Sequence, residues 1–365
     1  MMTSGPAASS SPSAATTLQR LRCFQPISSL SDERLQELSG FCQNERMPRN
    51  SDPFRLRGLE GQSVYLVTGE LKLNHADGTV EVLVGSCDAA AWPLPADLTQ
   101  RAEVRAITDI ELMRIDDHLL DIMLTWDQLT EQAGDAGGKT ADTGERTNWR
   151  MMSGAFRLES LSAGALSQLP PANIDELLRR FERRKVKAGD VILREGDEGD
   201  WYYLIESGRC DVSRRIGGAE LPLAELKAGD AFGEEALVAG TLRNATVTMR
   251  TNGVLLRLGK QDFIELLREP LLKRLSRVDA EQHVADGAVW LDVRFASEFQ
   301  YDRLPGAINI PLNEIRNAIG PLDAAREYVV YCQSGRRSSA AAFILSQHGY
   351  RASWLEGGLR AVPNN

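Results

Sequence analysis

Residues 231–247 read AFGEEALVAGTLRNATV. Gly233 permits close backbone approach, and the good helix formers after it place free amides at a short helix start, where an anion can sit. Ten positions on, Arg243 offers a planar fork suited to two phosphate oxygens. Glu234 is placed to accept hydrogen bonds from a sugar hydroxyl. Taken alone, these residues also describe a turn with a surface salt bridge, so the flanks matter. Gly189-Asp190, Gly196-Asp197, Gly199-Asp200 and Gly229-Asp230 punctuate short runs of Val, Ile, Leu and Tyr. That pattern predicts a small antiparallel barrel or roll flanked by helices.

Upstream the chain repeats itself. Leu30, Leu35 and Leu38 have the spacing of Leu169, Ile174 and Leu177, and YLVTG ending at Gly69 matches YLIESG ending at Gly208, all at an offset of 139 residues. Past a four-residue gap, RAEVRAITDIELMRI from Arg101 parallels NATVTMRTNGVLLRL from Asn244 at an offset of 143. Each of these is expected to end in a helical run. The chemistry is not repeated: Glu234 maps onto Ala91, Arg243 onto Gln100 and Thr246 onto Glu103, whose charge would repel a phosphate. SCDAAAWPLPADLTQ is also too interrupted by proline for a clean helix. The first copy is therefore expected to be a structural module, serving dimerisation or docking against its twin.

After about residue 275 the pattern changes. VWLDV at 289–293 and YVVYC at 328–332 are apolar runs of the kind buried on both faces of a parallel sheet, and helical stretches such as SSAAAFILSQHGY alternate with them. Cys332 falls where the second strand ends and a helix begins. Loop amides, the positive end of a helix dipole, Arg336 and Arg337 would all stabilise a thiolate there, the form that acts as nucleophile. An inert cysteine closing a strand is the simpler alternative.

Composition narrows the classes of function. A chain of 365 residues exceeds what one core usually fills, and 42% hydrophobic with 25% charged residues is ordinary for globular proteins. The net charge of -9 gives no field to attract DNA or RNA. Five scattered cysteines suit a reducing compartment, and neither a signal peptide nor a long apolar run is evident, so a cytoplasmic protein without membrane or nucleic-acid partners is expected. The four histidines (75, 118, 283, 348) form no spacing typical of a zinc site or a Cys-His hydrolase. Domain limits follow: a disordered tail over 1–17, a first module over 18–130, a Gly/Ala/Asp/Thr-rich linker over 131–149, a second module over 150–273 and an α/β domain over 274–365.

The string FGEEAL followed by RNATV, behind its Gly-Asp turns, resembles the phosphate-binding cassette of the cyclic-nucleotide-binding domain family. That resemblance implies two β-roll or jelly-roll domains with flanking helices, the first degenerate. It further implies that Gly233 and Ala236 lend amides, Glu234 holds the ribose 2′-hydroxyl and Arg243 the cyclic phosphate. Glu235 and Ala245 complete the binding stretch, and Asn244 stands where base choice is often tuned, leaving cyclic AMP or cyclic GMP as the effector. Leu242 replaces a frequent proline and Glu235 a frequent apolar residue.

CQSGRR, preceded by LDVRFASEF and LPGAINIPL and followed by LEGG, resembles the rhodanese (sulfurtransferase) domain, an α/β fold with a mainly parallel sheet. By that resemblance Cys332 carries sulfane sulfur from a small-molecule donor such as thiosulfate to a thiol or cyanide-like acceptor. Gln333, Ser334, Gly335, Arg336 and Arg337 supply amides and charge, while Asp292 and Arg294 buttress the loop. Arg303 stands where the family often has His. Related phosphatases carry a loop one residue longer with Arg six positions after Cys; here that position is Ser338, which favours sulfur transfer. No metal or further cofactor is required. The resulting expectation is a sulfurtransferase regulated by a cyclic nucleotide, with a homodimer among its expected assemblies. The alternative is a non-catalytic sensor or scaffold whose rhodanese unit docks partners or senses oxidation.

Overall fold

A computed structural model describes residues 14–135 and 156–360, apart from positions 56, 76, 86–87, 96, 157–160, 162–164, 217–218, 240 and 268–271. The chain divides into a unit ending at Leu120 and a unit beginning at Asp121. The second unit holds both the second repeat and the α/β part.

The first unit carries two antiparallel three-stranded sheets. In one, Ile110–Asp116 lies between Gln43–Met47 and Gln62–Thr68; in the other, Glu70–His75 lies between Val80–Val84 and Ala102–Ala106. Val64, Leu66, Leu71, Leu73, Val104 and Leu112 meet in the core between them.

The second repeat has the same strand orders with one strand added to each sheet. Glu182–Val186, Gly253–Gly259, Trp201–Ser207 and Ala231–Phe232 form one sheet. Val191–Leu193, Thr246–Met249, Arg209–Ile216 and Ala219–Lys227 form the other. The strand pairings described in them are antiparallel, and Val186, Tyr203, Ile205, Phe232, Val247 and Leu255 fill the space between.

Three expectations are corrected. Ile110–Asp116 and Gly253–Gly259 are strands, whereas helical runs were expected. Successive residues 110–115, and Leu255 with Leu256, are buried in them, so each apolar run lacks the alternation that marks a half-exposed strand. The helix Ala14–Leu21 begins inside the stretch expected as a tail, anchored by the fully buried Leu21; residues 1–13 lie outside the described residues. The helix Asp117–Asp135 runs five residues into the expected linker, and 136–149 lie outside the described residues.

The C-terminal part is a five-stranded parallel sheet in the order Arg274–Leu275, Arg351–Leu355, Glu327–Tyr331, Val289–Asp292, Ile308–Asn309. Glu327–Tyr331 is central, so the residue after it, Cys332, emerges at the carboxyl end of the middle strand, the usual place for a site in such sheets. The helix Arg336–Gln347 follows. Its residues 337–342, 344 and 345 are buried, because one side covers the sheet and the other meets Pro171–Asn173 and Ile174–Arg180 of the second repeat.

Arg337, second in that helix, has a side chain 1% exposed and is bonded twice to Glu298 of the helix Ala296–Tyr301 at 2.8 and 2.9 Å. Burial opposes ionisation of Glu298, but the Arg337 charge and hydrogen bonds, with help from Arg294, outweigh it and hold the carboxyl below its ordinary range. A carboxyl depressed on folding stabilises fully above its unfolded value of about 4.3, and that contribution is lost as pH falls through the lower folded value. Glu298→Gln should therefore cost about 3–5 kcal/mol at pH 7 by stranding a buried guanidinium. The loss, read by urea unfolding, should shrink as pH drops below about 4.

Candidate functional sites

In the second repeat Gly233 ends the strand Ala231–Phe232 with φ +93°, a conformation open to glycine. A Cβ there would stand 3.0 Å from both the Arg243 guanidinium and the Trp201 carbonyl, so glycine is also what lets Arg243 come in. Arg243 is 4% exposed and donates through Nη1 to Gly233 O at 2.7 Å and through Nη2 to Trp201 O at 2.8 Å. Among the described residues its one ion pair is to Asp200, at 3.5 Å, whose side chain is 70% exposed. The Arg243 Nε is buried with no hydrogen-bond partner. The cation is thus fixed mostly by neutral carbonyls, its charge is weakly balanced, and one donor is left over. That is the electrostatic description of an anion site.

Glu234 begins the helix Glu234–Ala239 and is half-buried; its charge adds to burial in pushing the Tyr202 hydroxyl upward, burial being the larger cause. Ala236 and Ala245 are buried, and the Ala236 methyl lies against the Gly199-Asp200 turn, so the Gly-Asp turns and the cassette touch directly. Asn244 donates to the Glu235 carboxylate and accepts from Arg214 Nε at 2.6 Å. In the first repeat the corresponding stretch is a short turn at Asp88–Ala91 and a four-residue helix Leu98–Arg101, and Glu103 is exposed beside Arg105.

At the second site, Cys332 Sγ accepts the backbone N–H of Gly335 at 3.1 Å and lies 3.6 Å from Ser338 Oγ. Gly335, at φ +99°, makes the turn into the helix, and a Cβ on it would collide with the Trp354 ring at 2.9 Å. The LEGG turn clamps the loop from outside: the amides of Leu359 and Arg360 bind the carbonyls of Cys332 and Gln333 at 2.9 and 3.1 Å. Gly358 approaches so closely that a Cβ there would sit 2.4 Å from the Cys332 carbonyl oxygen.

The loop's two arginines divide their work. Arg337 is neutralised by Glu298, so its charge goes into the fold. Arg336 makes no such bond; burial pulls its guanidinium down, opposed by the charges of Asp121 and Cys332. Behind the loop, Arg294 binds Asp292 and Asp302 at 2.8 Å each and reaches Gln333 Oε1 at 3.3 Å, which fixes the first loop side chain after the cysteine. Arg303 is exposed and lies over the Phe299 ring. Cys332 itself is 0% exposed, in polar surroundings.

Four residues of these sites were not singled out from sequence. Asp200 and Trp201 hold Arg243, Glu298 balances Arg337, and Asp121 reaches the cysteine loop. Glu298 stood inside LDVRFASEF, and Asp200 inside a Gly-Asp turn; each was legible as a motif but not as a partner. Among the described residues no three His, Cys, Asp or Glu gather to hold a metal ion, and no helix is long and apolar enough to cross a membrane.

Comparison with known proteins places these geometries in families. Residues 183–269 match the cyclic nucleotide-binding domain and residues 276–364 the rhodanese-like domain. The chain carries both domains. Curated relatives include the cAMP-dependent protein kinase regulatory subunit of Yarrowia lipolytica, 36% identical over 138 residues, 35% of this chain and 35% of that protein. The subunit from Dictyostelium discoideum is 40% identical over 89 residues, 24% and 27% of the two chains. Among solved structures, the Thermus thermophilus catabolite activator protein is 35% identical, covering 30% of this chain and 49% of that one at a TM-score of 0.26. The chain thus matches about a third or less of the length of these curated relatives.

The remaining thiols set the background against which Cys332 is read. Burial pushes Cys42 up to about 12, and burial with the Asp211 charge pushes Cys210 up to about 11. Thiols raised this far stay protonated at pH 8, leaving about one Cys210 in a thousand as thiolate. Iodoacetamide at pH 8 should label the exposed Cys23 and leave Cys42 and Cys210 unmodified, as read by peptide mass mapping. Labelling of those two should appear only as pH approaches 11.

Proposed function

We propose that this protein is a rhodanese-type sulfurtransferase that passes sulfane sulfur through a persulfide on Cys332, under control of a cyclic nucleotide bound at Arg243 and Glu234. The observation that carries the reading is the Gly335 N–H aimed at Cys332 Sγ at 3.1 Å, in a loop whose Arg336 lacks a bonded carboxylate of its own domain. In the first half-reaction the Cys332 thiolate attacks the outer sulfur of thiosulfate. The new S–S bond forms as the S–SO3 bond breaks, and sulfite leaves with the electron pair. In the second, a thiolate or cyanide takes the terminal sulfur, and Cys332 recovers its pair as thiolate. No general acid is needed, because both leaving groups depart as anions.

Cyclic AMP is the nucleotide this reading favours, since the relatives above are named as cAMP-dependent kinase regulatory subunits. Glu234 would take the ribose hydroxyl, the Arg243 Nε and Nη groups the phosphate, and Gly233, Glu235, Ala236, Asn244 and Ala245 would line the site. Control over the cysteine loop is physically reasonable because the two domains share contacts: Arg316 bonds the buried Asp175, and the helix behind the cysteine loop packs on Pro171–Asn173.

Full burial of Cys332 favours a second reading, in which the rhodanese-like domain docks partners without turnover. Turnover separates the two. The wild type should form thiocyanate from thiosulfate and cyanide, Cys332→Ser should abolish it, and saturating cyclic AMP should change the rate at least twofold; equal rates with and without the nucleotide would remove regulation from the proposal. Calorimetric titration tests the sensor separately. Arg243→Ala should weaken cyclic AMP binding about 10- to 100-fold, the loss of charge-assisted hydrogen bonds worth about 1.5–3 kcal/mol. Unchanged affinity would discard the assignment of the cassette.

A further inference from the structure

The helix Asp117–Asp135 is buried along residues 120–130, and one acid on it, Asp121, points at the cysteine loop. The residue is 6% exposed. Its Oδ2 accepts the Ser334 hydroxyl at 2.5 Å and pairs with Arg336 Nε at 3.5 Å. These are the side-chain partners of the Asp121 carboxylate among the described residues, and both belong to the loop that would receive a sulfur donor. A buried carboxylate needs such partners, because desolvation of an unpaired charge is costly. Arg336 in turn has no other ion pair among the described residues.

We infer that Asp121 is an internal anion that occupies the donor's place on Ser334 and Arg336, and so sets which sulfur donors Cys332 accepts. The inference rests on the sulfurtransferase reading. Thiosulfate is a dianion and must compete for the hydroxyl and guanidinium that Asp121 holds, against the repulsion of the carboxylate itself. A neutral reagent meets only the steric part of that barrier. The arrangement therefore discriminates by charge.

The experiment uses the full-length chain and two alkylating agents that differ in charge, iodoacetate and iodoacetamide, with Cys332 modification followed by mass mapping. Asp121→Asn keeps the shape and removes the charge, and should raise the iodoacetate to iodoacetamide rate ratio at Cys332 roughly tenfold. It should also lower the KM for thiosulfate by a similar factor with less change in kcat. Asp121→Ser, which also removes the charge while keeping a hydroxyl to bond Ser334, should move the alkylation ratio in the same direction and guards against a misfolded Asn variant. A ratio unchanged within twofold in both variants, with Cys332 reactive, overturns the role of Asp121 and leaves the sulfurtransferase reading standing. A shifted ratio without thiosulfate turnover in any form supports the anion role of Asp121 and sinks the sulfurtransferase reading. Cys332 inert to both reagents in all forms overturns both.

Discussion

A parallel strand that ends in a cysteine and turns at once into a helix must change direction within three residues, and Gly335 is the residue that makes this possible. Its positive φ and the Trp354 ring against its α-carbon leave no room for a side chain. That turn presents an amide to the sulfur. The same turn forces the next side chains, Arg336 and Arg337, toward the interior at the head of the helix. A guanidinium in the interior has to be balanced, so Glu298 follows as a requirement of the turn. Asp292 and Asp302 repeat the arrangement for Arg294 one strand away. The loop is rigid because each charge behind it is matched.

Set beside these, the buried Arg243 and the half-buried Arg336 stand apart. Arg243 is held by carbonyl oxygens and an acid 70% exposed at 3.5 Å; among the described residues Arg336 pairs only with an acid far off in sequence, at the same separation. Ion pairs of that length over a partly solvated path are weak compared with bonded, desolvated ones. At these two sites the quality of the partner separates structural from available positive charge. Arg337 illustrates why identity alone does not decide this. It lies next to Arg336 in the chain, yet its charge is neutralised within the fold.

Much of this was legible beforehand, for reasons particular to each residue. Gly233, Arg243, Cys332 and Gly335 are constrained locally: a turn, a close approach or a strand end selects them, and such constraints leave fixed spacings. The repeated strand order of the two modules was likewise readable, because β-rich runs stopped by Gly69 and Gly208 recur at one offset. Partners across the fold left weaker traces. Glu298 sits 39 positions before Arg337, and Asp121 sits 213 positions before Ser334, so nothing in local spacing connects them. The one available signal for Asp121 was an acid set among Leu119, Leu120, Ile122 and Met123, where a charge is out of place without a partner. The strands Ile110–Asp116 and Gly253–Gly259 misled for the opposite reason, since burial on both faces erases period two.

The positions of aromatic rings add a last step. Trp126, one turn and a quarter beyond Asp121 on the same helix, packs on Phe156; Phe156 packs on Phe181, Phe181 on Tyr202, and Tyr202 stacks on Phe263, with ring centroids 4.8 to 6.4 Å apart. Tyr202 adjoins Trp201, whose carbonyl holds Arg243. Tyr202 therefore belongs both to the strand whose Trp201 carbonyl holds Arg243 and to this packed series. Packed interiors pass on small displacements because they have few voids in which to absorb them. The helix at the other end carries the carboxylate that holds Ser334 and Arg336. The seat of Arg243 and the carboxylate at Ser334 and Arg336 are therefore connected through contacts between bulky, buried groups, so a displacement at one has few voids to dissipate in before it reaches the other.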